Sequence, residues 1–106
     1  MARESKFQLE LISELEHLFP GCMILKNDSN YLPGIPDLLI LWGEQWAVLE
    51  CKRSADAPFR PNQEDYIEQL DKMSFSAAIY PENKEEILDA LQRSFGTYRA
   101  SCLSEC

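Results

Sequence analysis

No apolar stretch in this 106-residue sequence approaches the roughly 20 residues that a membrane-spanning helix needs. Residues 1–6 lead into an amphipathic pattern and not into the apolar core of a signal peptide. We therefore expect a cytoplasmic protein without a membrane partner. The length leaves room for one modest hydrophobic core. We expect one domain over residues 1–95, followed by a tail at residues 96–106 whose order the sequence leaves open.

Cysteine and histidine are scarce, and their spacing does not resemble that of metal ligands. Cys22, Cys51, Cys102 and Cys106 show no CxxC pattern, which argues against a zinc framework and favours reduced thiols. Cys22 and Cys51 fall in predicted strands, where a thiol usually acts as a small apolar group. The single histidine, His17, lies on a helix face predicted to be exposed, so we do not consider it a candidate base.

Basic residues are too few for an ordinary nucleic-acid-binding surface. Ten lysine and arginine residues stand against 18 aspartate and glutamate residues, which gives a formal net charge of −8. Proteins that bind nucleic acids usually carry a basic footprint. The objection weakens if the site binds divalent cations and if the local charge differs from the average. Any affinity for a nucleic acid should then be weak and salt-sensitive, and dimerisation would improve it.

Apolar residues recur at helical spacing in three segments and form four short runs typical of strands. Pro61 is expected in the first turn of the middle helix, and Asn83 with Glu86 resembles a capping box at the start of the last one. This order, α-β-β-β-α-β-α, predicts an α/β fold with a mixed four-stranded sheet flanked by helices. The predicted elements are a helix over about 4–19, strands at 22–25, 37–41, 45–52 and 76–80, and helices at 61–73 and 83–95.

Two acidic residues and a lysine are predicted to meet on one hairpin. Asp37 opens the second strand, while Glu50 and Lys52 lie near the end of the third. Side chains alternate along a strand, so Glu50 and Lys52 share one face and Cys51 points to the other. A turn at residues 43 and 44 places position 37 opposite position 50. Their Cβ atoms should therefore be about 5 Å apart.

This arrangement is typical of metal-dependent phosphodiester hydrolysis. Two adjacent carboxylates repel each other unless a cation lies between them. Oxygen ligands in that number suit Mg²⁺, and Mn²⁺ would substitute; the Cys51 backbone carbonyl is a further candidate ligand. The cation would activate water and neutralise charge on the phosphate, while Lys52 would stabilise the transition state. Glu-x-Lys on an amphipathic strand is common by itself, so the prediction depends on the whole combination.

The segments Gly34-Ile35-Pro36-Asp37 and Glu50-Cys51-Lys52, with the element order above, resemble the PD-(D/E)xK nuclease superfamily. Together with Glu4 and Gln63 they look like the virus-type replication-repair nuclease (VRR-NUC) family, in particular its small phage-encoded, single-domain members. The resemblance spans about residues 4–90. It implies a restriction-endonuclease-like core and an enzyme that acts on branched or structured DNA, as Holliday-junction resolvases do. It also implies a homodimer and a phage or prophage protein in the bacterial cytoplasm.

The resemblance also assigns roles to individual residues. Asp37 and Glu50 would bind the metal, Lys52 would act on the water or the phosphate, Glu4 would complete the acidic site and Gln63 would support it. Each of the last two has a simpler interpretation. Glu4 is also an ordinary first-turn acid that complements the helix dipole, in which case Glu10 or Glu14 replaces it, and Gln63 is also a solvated helix residue. The candidate phosphate contacts, which are otherwise solvated basic residues, are Lys26, Arg53 and Arg60.

Two other classes of function stay open. One is a nuclease-fold protein of a phage that binds or regulates a partner without catalysis, which the acidic surface favours. The other is an unrelated small α/β interaction domain in which Glu50 and Lys52 are paired surface charges. The complete set of two carboxylates and a lysine argues against the first, since a protein without catalysis would not need it.

Overall fold

The computed structural model describes residues 5–96 of the chain. This part is an α/β structure with three helices and a four-stranded mixed sheet, in the predicted order α-β-β-β-α-β-α. Glu4 and the segment 97–106, with Cys102 and Cys106, lie outside the described residues. The elements are α1 (Lys6–Leu18), β1 (Met23–Lys26), β2 (Leu38–Trp42), β3 (Gln45–Cys51), α2 (Gln63–Met73), β4 (Ser76–Ile79) and α3 (Lys84–Phe95).

The sheet follows the order β1-β2-β3-β4. The first three strands are antiparallel neighbours, and β4 runs parallel to β3 because α2 carries the chain back across the sheet. In the β2–β3 hairpin Leu38 faces Leu49 and Trp42 faces Gln45. This is the register that the sequence predicts, so the end of β3 lies beside the residue that precedes β2.

The hydrophobic core lies between one face of the sheet and the helices α1 and α3. Alternate residues of β2 and β3, such as Ile40 and Leu49, are fully buried there against Leu11, Leu15 and Leu91. Burying one such side chain contributes about 1.5–3 kcal/mol. The intervening residues of β3 point to the opposite face, where α2 packs. Glu50 is one of these residues, so it faces α2.

The helix starts differ from the prediction in two places. Helix α2 begins at Gln63 and not at Pro61, because Asn62 adopts a left-handed conformation (φ 74°) that ends the preceding loop. The predicted capping box at α3 is wrong. The Asn83 side chain makes no bond to the helix; it accepts a hydrogen bond from the Tyr80 N–H (2.8 Å) and donates one to the Ala78 carbonyl (3.2 Å).

No helix within residues 5–96 has the length and apolarity required to cross a membrane. Cys22 and Cys51 are free thiols that are half-buried. Cys22 precedes β1 instead of opening it, and its pKa is raised by burial and by the nearby charge of Glu16.

Candidate active site

The predicted site residues on β3 and α2 line one cavity with Asp37. This cavity, of about 410 Å³, lies at the end of the β2–β3 hairpin that is remote from the turn. Strand ends and the first residue of α2 supply its polar walls. The predicted residues that it brings together are Asp37, Glu50, Cys51, Lys52, Arg53, Arg60 and Gln63.

Asp37 is fixed against β3 by its side chain and by its backbone. Its Oδ2 atom accepts a hydrogen bond from the Cys51 N–H at 3.0 Å, at the point where the β2–β3 ladder would otherwise continue. On the other side, Asn27 donates its backbone N–H to the Asp37 carbonyl and its side-chain amide to the Pro36 carbonyl, both at 2.8 Å. The carboxylate is therefore held in position without a bound ligand.

Glu50 is a buried carboxylate whose two oxygens have different surroundings. Only 5% of the residue is exposed. Its Oε2 accepts a hydrogen bond from the Gln63 side-chain amide at 2.9 Å, whereas Oε1 is buried and has no hydrogen-bond partner among residues 5–96. Burial, followed by the negative charge of Asp37, raises the pKa of Glu50 to about 7, although Lys52, the Asp37 N–H and Gln63 act in the opposite direction.

Gln63 joins Glu50 to Lys52. Its carbonyl oxygen accepts hydrogen bonds from Lys52 Nζ at 2.9 Å and from the Arg60 N–H at 2.7 Å, while its amide nitrogen donates to Glu50. An ammonium group can only donate and a carboxylate can only accept, so this orientation of the amide is the one that satisfies both neighbours. Only 6% of Gln63 is exposed, which rules out the interpretation of Gln63 as a solvated helix residue.

Lys52 is enclosed by the loop between β3 and α2. Its Nζ atom donates to the Pro58 carbonyl at 2.7 Å and lies 4.4 Å from the centroid of the Phe59 ring. A cation above an aromatic face is stabilised by the ring electrons. Neither Pro58 nor Phe59 is among the residues that the sequence singles out, because the segment before α2 is irregular and shows no periodicity.

Gly34 holds this loop close to the cavity. Its φ is +93°, and a Cβ atom added there would lie 2.8 Å from both the Pro61 carbonyl oxygen and the Asn62 Cβ. Any larger residue would push the Arg60–Asn62 segment outwards, and it would also be strained by the positive φ. The glycine of the Gly-Ile-Pro-Asp segment therefore permits the close approach that places the loop on the site.

The basic residues are distributed unequally. Arg53 and Arg60 are exposed and line the cavity, where they can contact a bound anion. Lys26 does not line it; this residue is exposed at the end of the edge strand β1, beside Leu38. The strand order puts β2 between Lys26 and Glu50, so a substrate would have to extend across the sheet to reach both.

The alternatives to Glu4 as a third carboxylate do not line the cavity. Glu10 is exposed on α1, and Glu14 lies in a separate groove of about 680 Å³ between α1 and α3. There Glu14 forms an ion pair with Lys84 at 3.0 Å. Within residues 5–96, no three His, Cys, Asp or Glu side chains converge as a metal cluster.

The described residues nevertheless fit a divalent cation. The buried Glu50 Oε1 has no partner among the described residues, and burial together with the charge of Asp37 raises the pKa of Glu50, which a bound cation would counteract. Mg²⁺ requires only one or two carboxylates and keeps several waters. Asp37 and Glu50 supply such a pair, and the backbone of Cys51, whose side chain packs against the core, lines the same cavity.

Comparisons with models of protein families, with curated proteins and with solved structures find no match for this chain.

Proposed function

We propose that this chain is a Mg²⁺-dependent deoxyribonuclease of the PD-(D/E)xK type, with a restriction-endonuclease-like core, and a small phage-type member of the VRR-NUC family. Its reaction is the hydrolysis of phosphodiester bonds in branched or structured DNA, with Mn²⁺ as a substitute metal. The motif residues Asp37, Glu50 and Lys52 support this proposal because they meet in one cavity at the end of a hairpin.

The observation that carries the proposal is the state of Glu50. A carboxylate that is only 5% exposed, lies opposite a second carboxylate and has one oxygen without a partner among residues 5–96 is destabilising for the isolated protein. A purely structural position would be occupied more favourably by an apolar or amide side chain. The arrangement is the one expected when a cation completes the site.

In this mechanism Asp37 and Glu50 would hold the cation, and the Cys51 carbonyl and Glu4, which lies outside the described residues, would be the further ligands. Such a cation, when bound, supplies Lewis-acid chemistry that lowers the pKa of water and neutralises charge on the phosphate. Lys52 places its ammonium group in the same cavity, where it stabilises the negative charge that develops on the phosphate oxygens. Gln63 holds the side chains of Lys52 and Glu50 in place through its two hydrogen bonds, so it is a positioning residue.

Hydrolysis adds water across one P–O bond. The water oxygen bonds to phosphorus, the ester oxygen departs, and the released proton ends on that oxygen, so no covalent enzyme intermediate is required. Arg53 and Arg60 line the cavity and would bind flanking phosphates. Lys26 would contact the substrate only beyond β2.

Junction substrates have two equivalent strands to cut, which is the reason to expect a homodimer. The proposed location of this dimer is the cytoplasm of a bacterial host. Light scattering tests the assembly: a mass of two chains at high protein concentration supports the dimer, and a persistent monomer rejects it. Dimerisation would also offset the weak electrostatic attraction that a net charge of −8 implies.

Cleavage of supercoiled, linear, flapped and four-way DNA tests the activity in the presence of Mg²⁺, Mn²⁺ or a chelator. Asp37→Ala and Lys52→Ala should abolish cleavage. Lys72→Ala is the matched control, since Lys72 is an exposed lysine of α2 that pairs with Glu68 at 3.9 Å. Cleavage that persists with chelator, or in either site variant, overturns the mechanism. Binding without any cleavage would instead support the non-catalytic phage protein.

A further inference from the structure

Phe59 is a large apolar side chain left exposed at the rim of the cavity. About 40% of it is accessible, although it lines the same cavity as Asp37 and Glu50. Its ring is engaged on the inner side, where Lys52 Nζ lies 4.4 Å from the ring centroid. Because Phe59 lines the cavity and is partly exposed, its ring is accessible to a substrate that enters there.

The backbone on each side of Phe59 is fixed. Before it, the Pro58 carbonyl accepts a hydrogen bond from Lys52, and after it the Arg60 N–H donates to Gln63. Pro61 and Asn62 then pack against Gly34 closely enough to exclude a Cβ atom there. The ring is thus presented at a set distance from the two carboxylates, as a rigid binding platform requires.

Stacking of the Phe59 ring on a nucleobase would also compensate for the weak attraction between this acidic protein and the phosphates. With a net charge of −8, this protein gains little from non-specific attraction to phosphates. An aromatic ring that stacks on a nucleobase provides affinity that does not depend on attraction to the phosphates, and it tolerates any base. Arg53 and Arg60 line the same cavity and can contact the phosphates adjacent to such a base.

We propose that Phe59 stacks on an unpaired nucleobase next to the phosphate that is cut, so that the substrate must present an unstacked nucleotide at the cleavage site. This inference rests on the proposed nuclease function and specifies its substrate. A base inside an intact duplex is stacked on both faces and cannot meet the ring. A nucleotide at a flap, a loop or a branch point exposes its base without that cost.

The test compares the binding of two short single strands, one of thymidylate and one of the same length with abasic sugars throughout. Calcium replaces magnesium, and fluorescence anisotropy gives the dissociation constants. The unmodified protein should bind the thymidylate strand about 5- to 150-fold more tightly, the factor that corresponds to about 1–3 kcal/mol for one stacked base. In Phe59→Ala and Phe59→Leu this ratio should fall towards one, and Phe59→Tyr should restore it.

Tyr31→Ala is the matched control, since Tyr31 is 85% exposed but does not line the cavity. Its binding ratio should equal that of the unmodified protein. A Phe59 variant that weakens both strands equally would show that the ring acts only through Lys52, which overturns the stacking role. The same conclusion follows if the unmodified protein binds both strands equally.

The two proposals fail in different ways. A loss of the binding ratio in Phe59→Ala, without cleavage of any DNA, supports the stacking site and rejects the nuclease. Cleavage of fully paired duplex at the rate of flapped DNA, with an unchanged ratio in Phe59→Ala, supports the nuclease and rejects the stacking site.

Discussion

The side-chain amide nitrogen of Gln63 lies 2.9 Å from Glu50 Oε2, and the carbonyl oxygen of the same amide lies 2.9 Å from Lys52 Nζ. One neutral side chain therefore connects the acidic and the basic halves of the site. Because Gln63 is the first residue of α2, this connection also ties the helix to the sheet. The first prediction follows from this double contact.

Gln63→Leu should weaken Mg²⁺ binding about 10- to 100-fold, the usual effect of losing a residue that orients a metal ligand. The leucine has a similar volume but neither donates to Glu50 nor accepts from Lys52. Isothermal titration calorimetry measures the affinity, and cleavage assays should show a parallel loss. Gln69→Leu is the control, because Gln69 is an exposed glutamine of the same helix. Equal affinity in the two variants would show that Gln63 does not position Glu50.

Glu50→Gln should stabilise the metal-free protein, and the gain should depend on pH. The pKa of Glu50 rises from 4.5 to about 7 on folding, so its contribution to stability is complete below pH 4.5 and is lost as the pH rises to about 7. The difference in unfolding free energy between variant and unmodified protein should therefore grow over this interval by about 3 kcal/mol. An amide at this position does not titrate, so it avoids the loss.

Urea unfolding in the presence of a chelator, at several pH values across this interval, gives that difference. Taking the difference removes the contribution of the carboxylates that do not interact with Glu50. A difference that is constant with pH, or that shrinks as the pH rises, contradicts the buried state of Glu50. Saturating Mg²⁺ should stabilise only the unmodified protein.

Mg²⁺ affinity should fall as the medium becomes more acidic. A proton competes with the cation for Glu50, so below the pKa of about 7 each unit of pH should weaken binding. The expected slope is about tenfold per unit for one competing group, with a plateau above that pKa. Titration calorimetry in buffers of different ionisation enthalpy also counts the protons released. Release of no proton at about pH 6 would mean that Glu50 is already ionised there.

Gly34→Ala should displace the loop that encloses Lys52. The new Cβ would lie 2.8 Å from the Pro61 carbonyl oxygen, whereas a Cβ at Gly21 would meet nothing within 4 Å. Both glycines have a φ near +90° (+93° at Gly34 and +89° at Gly21), so Gly21→Ala carries the same backbone strain without the clash. We expect Gly34→Ala to be less stable than Gly21→Ala by about 1 kcal/mol or more and to lose activity.

Thermal unfolding and cleavage assays of both variants separate the effect of backbone strain, which both share, from the effect of the steric clash, which only Gly34→Ala has. If Gly21→Ala loses as much stability and activity as Gly34→Ala, the close approach at Gly34 does not matter for the function. An active Gly34→Ala would show that the loop can move without harm to the site.

The sequence predicts the hairpin part of the site well because that part is local. The turn at residues 43 and 44 and the alternation of side chains are sufficient to place Asp37 beside Glu50 and to turn Lys52 to the same face. Both arguments use only neighbours along one hairpin. The register and the shared cavity agree with them.

The remaining parts depend on contacts between distant segments, which no periodicity reveals. Phe59 reaches the site because Gly34 admits Pro61 and Asn62, and the sequence gives no signal for that approach. The sequence makes Lys26 a candidate phosphate contact, but β1 is an edge strand and β2 separates Lys26 from Glu50. Asn83 does not cap the helix because its side chain is hydrogen-bonded to the backbone of Tyr80 and Ala78, at the end of β4.

The turn at Gly43 and Glu44 lies at the far end of the hairpin from Asp37 and Cys51. The five-residue strand β2 separates the two ends by about 17 Å, at about 3.3 Å per residue. Both turn residues are exposed, and an added Cβ at Gly43 would meet no other atom within 4 Å. A dye or an affinity tag inserted at this turn would leave the opening of the cavity accessible, so the protein could be immobilised on a surface while ligands reach the cavity from solution.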